Sequence, residues 1–230
     1  MGGKGVKELI IAIDGPAGSG KSTIARRVAA DLGFHYLDTG AMYRALAWLA
    51  LERGVDLEDE KGLADLAIHA PISFSLSGES ETEDRVFIVE HDVTEDIRTP
   101  RIDSVVSVVS RPRSVRAALV AQQRRIAAVR DTVMEGRDIG TVVFPHAEVK
   151  VFLTASPEVR AERRWRQRCE IGDLCTYEDV LRGLLERDRL DASRSVGPLV
   201  QAEDATAIDT TELGIDEIVE RIDRLVEEAR

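Results

Sequence analysis

Apolar residues in this chain fall into short solid runs, separated by longer stretches in which they return every three or four positions. Leu9-Ile10-Ile11-Ala12-Ile13 is wholly apolar, as a strand buried on both faces requires. Residues 21–32 place Ile24, Val28 and Leu32 on one helical face. Residues 34–37 read as a second short strand. Helices are predicted over 41–53, with Met42, Leu46 and Leu49 in phase, and over 60–69. The pattern then changes. Residues 72–77 alternate apolar and polar, a polar turn follows, and 86–89 forms a second strand, which together make a hairpin with one wet face. A long helix is predicted at 112–130, core strands at 132–134 and 149–153, and helices at 157–169 and 176–189. Residues 207–209 give a last strand, and 215–229 a closing helix with Ile215, Ile218, Ile222 and Leu225 in phase. Strands alternating with helices predict an α/β fold around a parallel sheet covered on both faces, with the hairpin as an insert.

Composition narrows the function. The chain has 230 residues, 43% hydrophobic and 32% charged, enough for one α/β domain with a sizeable core. Its net charge of -11 argues against general binding to nucleic acid or anionic membranes, but allows a small anion in a local basic pocket. No apolar run approaches the roughly 18 residues of a membrane span, and the short run before Asp14 is too brief for a signal-peptide core. Residues 1–8 read as a flexible leader. The two cysteines, Cys169 and Cys175, lack the further Cys or His of a zinc site and read as reduced thiols of a cytoplasmic protein.

Chemistry enters at Gly15-Pro16-Ala17-Gly18-Ser19-Gly20-Lys21-Ser22-Thr23. The segment satisfies G-x-x-x-x-G-K-[ST], directly after a strand and directly before a helix. Glycines let the backbone curl so that its N–H groups converge on phosphate oxygens. The helix start adds its positive dipole end. Lys21 supplies a cation for the β- and γ-phosphates, and the Ser22 hydroxyl can ligate Mg2+. A nucleoside triphosphate is the expected ligand. No N-K-x-D base-reading motif of a GTPase is present, and a motor would be larger and carry a strand ending in adjacent Asp-Glu.

Arginines are dense in the short polar segments: Arg44, Arg98, Arg113, Arg116, Arg124, Arg137, Arg160, Arg163, Arg164, Arg187 and Arg194 among them. A planar guanidinium meets phosphate oxygens in pairs, so several of these converging on phosphate-bearing ligands is the functional reading. Solvated helix faces with i,i+4 partners suit Arg166, Arg168 and Arg189 better.

The segments GPAGSGKST, LDTGAMYRA, DVTEDIRTP, GRDIGTVVFP, VKVFLTAS, RAERR and ERDRLDASR, in this order from about Ile10 to the final helix, resemble the bacterial cytidylate kinases, a family of nucleoside monophosphate kinases. The resemblance implies a P-loop NTPase fold with a parallel five-stranded core sheet. It implies an NMP-binding insert at about 40–110 that carries the small antiparallel sheet, and a short helical lid at about 158–192, all within one kinase domain over 9–230. The implied activity is ATP-dependent phosphorylation of CMP and dCMP by direct in-line transfer. Residues 15–23 and Arg163 would bind ATP, with Lys21, Arg137, Arg160 and Arg164 serving the transfer. Thr39, Tyr43, Arg44, Ser107, Arg116, Arg137, Asp138, Arg187, Asp191 and Arg194 would bind CMP. Asp138 would accept from the cytosine amino group and Arg116 would donate to its carbonyl or ring nitrogen, so UMP is disfavoured. Mg2+ would be held by Ser22 with ATP oxygens, and by Glu135, which stands where the family often has Asp and is one methylene longer. A cytoplasmic monomer is expected, acting on small molecules only, without nucleic acid or membrane. Another P-loop kinase acting on shikimate or UMP, a nucleotide sensor without transfer, and a nucleic-acid-binding ATPase are the alternatives.

Overall fold

The computed structural model describes residues 8–76, 84–170 and 172–230. Most of the expected leader and the polar turn of the expected hairpin lie outside the described residues. The chain divides into two compact units, one of Met1–Leu37 with Ala127–Arg230, the other Asp38–Ile126.

The first unit is built on a five-stranded sheet. In chain order its strands are β1 (Ile10–Asp14), β2 (His35–Asp38), β6 (Thr132–Gly136), β7 (Val149–Thr154) and β8 (Thr206–Asp209), and in space β2-β6-β1-β7-β8. The pairings of β1 with β6 and β7, and of β7 with β8, are parallel. β1 is central and fully buried, which is why it reads as a solid apolar run. Helices α1 (Lys21–Leu32) and α8 (Ile215–Ala229) cover it, bringing Ile24, Val28, Ile218, Val219 and Ile222 onto Ile11, Ile13, Val133 and Val151. Burying one such side chain contributes about 1.5–3 kcal/mol. Ile215, expected on this apolar face, is 49% exposed: it is the first helical residue after Gly214 and precedes the turn that meets the sheet. Helices α6 (Pro157–Glu170) and α7 (Tyr177–Ala192) pack on one another.

The register sets the functional edge. Asp14, the end of β1, pairs with Gly136, the end of β6, and Thr154 of β7 pairs with Asp209 of β8. The loop after β1, the Arg137–Asp138 pair after β6 and the segment after β8 therefore leave the sheet from one end, the carboxyl end where open parallel sheets bind ligands.

The second unit has its own core. It holds α2 (Thr39–Glu52), α3 (Glu60–His69), α4 (Pro100–Val109) and α5 (Arg113–Ala127), with an antiparallel sheet of β3 (Ile72–Leu76), β4 (Asp84–Ile88) and β5 (His91–Asp92). Met42, Leu46, Leu63, Ile88, Ile97 and Leu119 are fully buried there. Asp38 caps α2 by accepting from Ala41 N–H at 2.9 Å. The apolar pattern did not reveal α4 or β5. α4 begins with Thr99 at the N-cap and Pro100 in its first turn, a start signal carried by capping chemistry. Among the described residues no helix is long and apolar enough to cross a membrane.

Candidate active site

The loop Gly15–Gly20 joins β1 to α1 as expected. Two of its glycines are required by space. At Gly15, with φ of 150°, a Cβ would lie 2.0 Å from the Leu153 carbonyl oxygen. At Gly18 it would lie 2.9 Å from the Arg160 carbonyl oxygen. Lys21 opens α1 and is buried beneath the loop, with its ammonium donating to the Pro16 carbonyl at 2.6 Å. Burial drives its pKa down to about 7; Arg137 and Arg187 push the same way, while Glu135 and Asp14 pull upward. Ser22 and Thr23 are exposed on the next positions of α1.

Arg137 and Asp138 follow β6 and stand beside a cluster on α7. Arg137 donates to Asp191 at 2.9 Å, and Arg194 to the other oxygen of the same carboxylate at 2.5 Å. Burial alone would raise the Asp191 carboxyl, but Arg137, Arg194 and Arg187 outweigh it and hold the group below the usual carboxylate range. Arg137, distant in sequence from Arg187, Asp191 and Arg194, thus joins them in one charged group. Asp138 is buried, and its carbonyl accepts from Val142 at 2.9 Å and Val143 at 3.1 Å, opening a π-helical turn over Ile139–Val143. Glu135 is buried and accepts a hydrogen bond from the Tyr36 hydroxyl.

Of the arginines expected in a lid, Arg160 is 4% exposed and clamped. It donates to the carbonyls of Ala155 at 3.0 Å and Ala17 at 3.1 Å, and pairs with Asp188 at 2.7 Å. It therefore braces the loop from outside. Arg163 donates to Thr210, and Arg164 is half-buried on the same helix. Arg166 makes the i,i+4 pair expected of a solvated face, with Glu162, whereas Arg168 pairs with Asp173 five residues on and Arg189 with Glu186 three residues back.

The remaining predicted residues lie in the second unit. Thr39 is buried at the start of α2, and Arg44, one turn on, pairs with Asp38 at 2.7 Å. Arg116 is 2% exposed, with its guanidinium 5.3 Å from the centre of the Tyr43 ring. It reaches the Ser110 carbonyl at 3.5 Å, and the Ser110 hydroxyl donates to the Ser107 carbonyl at 3.2 Å, so Ser107, Arg116 and Tyr43 are neighbours.

Sequence reasoning missed Asp14 and Thr210. Asp14 is buried and accepts from Ile139 N–H at 2.8 Å and Gly140 N–H at 2.7 Å. Burial raises its pKa to about 6 against the pull of those two amides. It ties the residues after Arg137–Asp138 to the residue before the phosphate loop. A carboxylate directly ahead of a phosphate-binding loop was the available signal, since it is out of place there unless other donors claim it.

The family model described as cytidylate kinase matches residues 11–228. Cytidylate kinase of Pelotomaculum thermopropionicum is 50% identical over 92% of this chain and 93% of that protein. That of Exiguobacterium sibiricum is 49% identical over 97% and 99%, and that of Bacillus subtilis 46% identical over 96% and 98%. The crystal structure of an uncharacterized protein from Eubacterium ventriosum, 11% identical, covers 96% of this chain and 99% of that one with a TM-score of 0.54, a likeness of fold alone.

Proposed function

The chain belongs to the cytidylate kinase family, and from that premise we infer that it phosphorylates CMP, and dCMP as a second acceptor, with ATP as donor. The observation that carries the reading is Lys21, buried at the carboxyl edge of the sheet with Arg137, Arg187, Glu135 and Asp14 acting on its charge. A site of this kind sets cationic groups where the ATP phosphates and the CMP phosphate must meet.

No general base is required. The CMP phosphate is an anionic nucleophile at neutral pH, so the protein has to align it and spread the charge of the transferring group. Lys21 and the loop amides serve the ATP phosphates. Arg137, with Arg187 and Arg194 around Asp191, grips the monophosphate and sugar, and Asp138 accepts from the base. Arg44, Arg116, Tyr43, Thr39 and Ser107 are assigned to CMP by the family resemblance. Arg163 and Arg164 serve the donor phosphates. The clamp on Arg160 supports a bracing role within the same machinery.

Magnesium belongs to this proposal on the chemistry of the donors. Among the described residues no group of three His, Cys, Asp or Glu is placed to hold a metal ion. Ser22 exposes a hydroxyl at the start of α1, and Glu135 is engaged by Tyr36. That set fits an ion carried mainly by ATP oxygens and water, with Ser22 as a protein ligand. When bound, it neutralises phosphate charge. A cytoplasmic monomer remains the proposed state, and the free thiols of Cys169 and Cys175 are in keeping with that compartment.

A coupled assay of ADP release with CMP, dCMP, UMP and AMP tests the reading. CMP is expected to be the best acceptor and UMP a poor one. No CMP-dependent release of ADP, or a preference for UMP or AMP, would overturn it.

A further inference from the structure

Thr210 directly follows β8 and is 1% exposed. Its backbone N–H donates to the Thr154 carbonyl at 2.8 Å, which fixes it to the end of β7. Its hydroxyl donates to the Ser19 carbonyl at 3.1 Å and accepts from Arg163 Nη1 at 3.0 Å, while Arg163 Nη2 donates to the Thr210 carbonyl at 2.7 Å. A hydroxyl has one proton and two lone pairs, so both of its bonds are satisfied together. Asp209 next to it accepts from the N–H and hydroxyl of Thr211 at 2.9 and 2.5 Å, and acts on Arg163 through its charge.

The consequence follows from peptide geometry. The Ser19–Gly20 peptide is planar and trans, so holding the Ser19 oxygen against Thr210 points the Gly20 N–H the opposite way. Gly20 caps α1 with φ of 90°, and its amide is one of those a phosphate loop presents at a helix start. Arg163 lies at the same place: its Nη1 is the nearest atom, at 4.0 Å, to a Cβ built on Gly20. One buried hydroxyl thus orients a loop peptide and holds a guanidinium beside it.

We propose that Thr210 is a positioning residue for the donor nucleotide, setting the Ser19–Gly20 peptide and Arg163 for the ATP phosphates through its hydroxyl. This rests on the kinase reading above. That reading stands or falls on CMP turnover by the unaltered protein, whereas this inference is read from variants once that turnover has been measured.

The variants are Thr210→Val, which keeps the shape and removes the hydroxyl, and Thr210→Ser, which keeps the hydroxyl and removes the methyl. Thr210→Val should raise KM for ATP by about tenfold, the loss of one or two good hydrogen bonds, with KM for CMP within about twofold of the unaltered protein's. Thr210→Ser should recover most of the ATP affinity. An unchanged KM for ATP in Thr210→Val, a parallel rise for ATP and CMP, or equal damage in the serine variant would overturn the proposal. Should Thr210→Val fail to fold, Thr210→Cys against Thr210→Ser decides the matter, since the two are close in size and only serine donates strongly. Cysteine should then raise KM for ATP severalfold over serine, and equal values would overturn the proposal.

Discussion

Lys21 shows how burial and chemistry are set against each other in one side chain. With its pKa drawn down to about 7, chiefly by burial, it is only partly charged at neutral pH before nucleotide arrives. ATP phosphates favour the ammonium, so its pKa rises in the complex and binding takes up a proton. The sign follows: affinity for ATP is level below about pH 7 and falls above it, by at most about tenfold per pH unit. Calorimetry between about pH 6.5 and 8.5, in buffers of different ionisation enthalpy, checks this. Constant affinity with no proton uptake would remove Lys21 from the phosphate. Lys21→Ala should abolish turnover while keeping the helical circular dichroism. On the acceptor side, Arg116→Ala should weaken CMP by about ten- to a hundredfold, as losing a charged hydrogen bond does, and weaken ATP far less. An equal loss for both nucleotides would place Arg116 elsewhere.

The π-helical turn at Ile139–Val143 is an element that its own residues do not specify. Asp14, on β1, supplies acceptors for the N–H groups of Ile139 and Gly140. Replacing Asp14 by Ala leaves both buried and unpaired, at a cost of about 1–3 kcal/mol each. Thermal and urea unfolding should show a loss of at least about 2 kcal/mol. An unaltered midpoint would mean that the turn holds itself. α4 teaches the complementary lesson. Its start, Thr99-Pro100, closes the DVTEDIRTP segment, and capping chemistry, not apolar period, marks it.

At the scale of the molecule the described residues form two hydrophobic core clusters, one in each unit, and each unit carries one tryptophan. Trp48 packs against the core of Asp38–Ile126, and Trp165 lies on α6 of the other unit, its indole donating to the Cys175 carbonyl at 3.1 Å. Fluorescence of Trp48→Phe and Trp165→Phe therefore follows one unit each through denaturant. Distinct midpoints are expected from separate cores; superimposed curves would mean that the cores unfold as one. The sequence by itself determined the parallel sheet, because strands buried on both faces must be solid apolar runs. It determined the phosphate loop too, because its glycines, Lys21 and Ser22 are chain neighbours whose spacing is their geometry. Only the tertiary structure decided which partners complete the site. Asp14 meets Gly140 across 126 residues, Arg137 meets Asp191 across 54, and Thr210 meets Ser19 across 191. Such pairs leave no local pattern, since a buried donor needs only an acceptor within reach, and reach is set by the order in which the strands assemble.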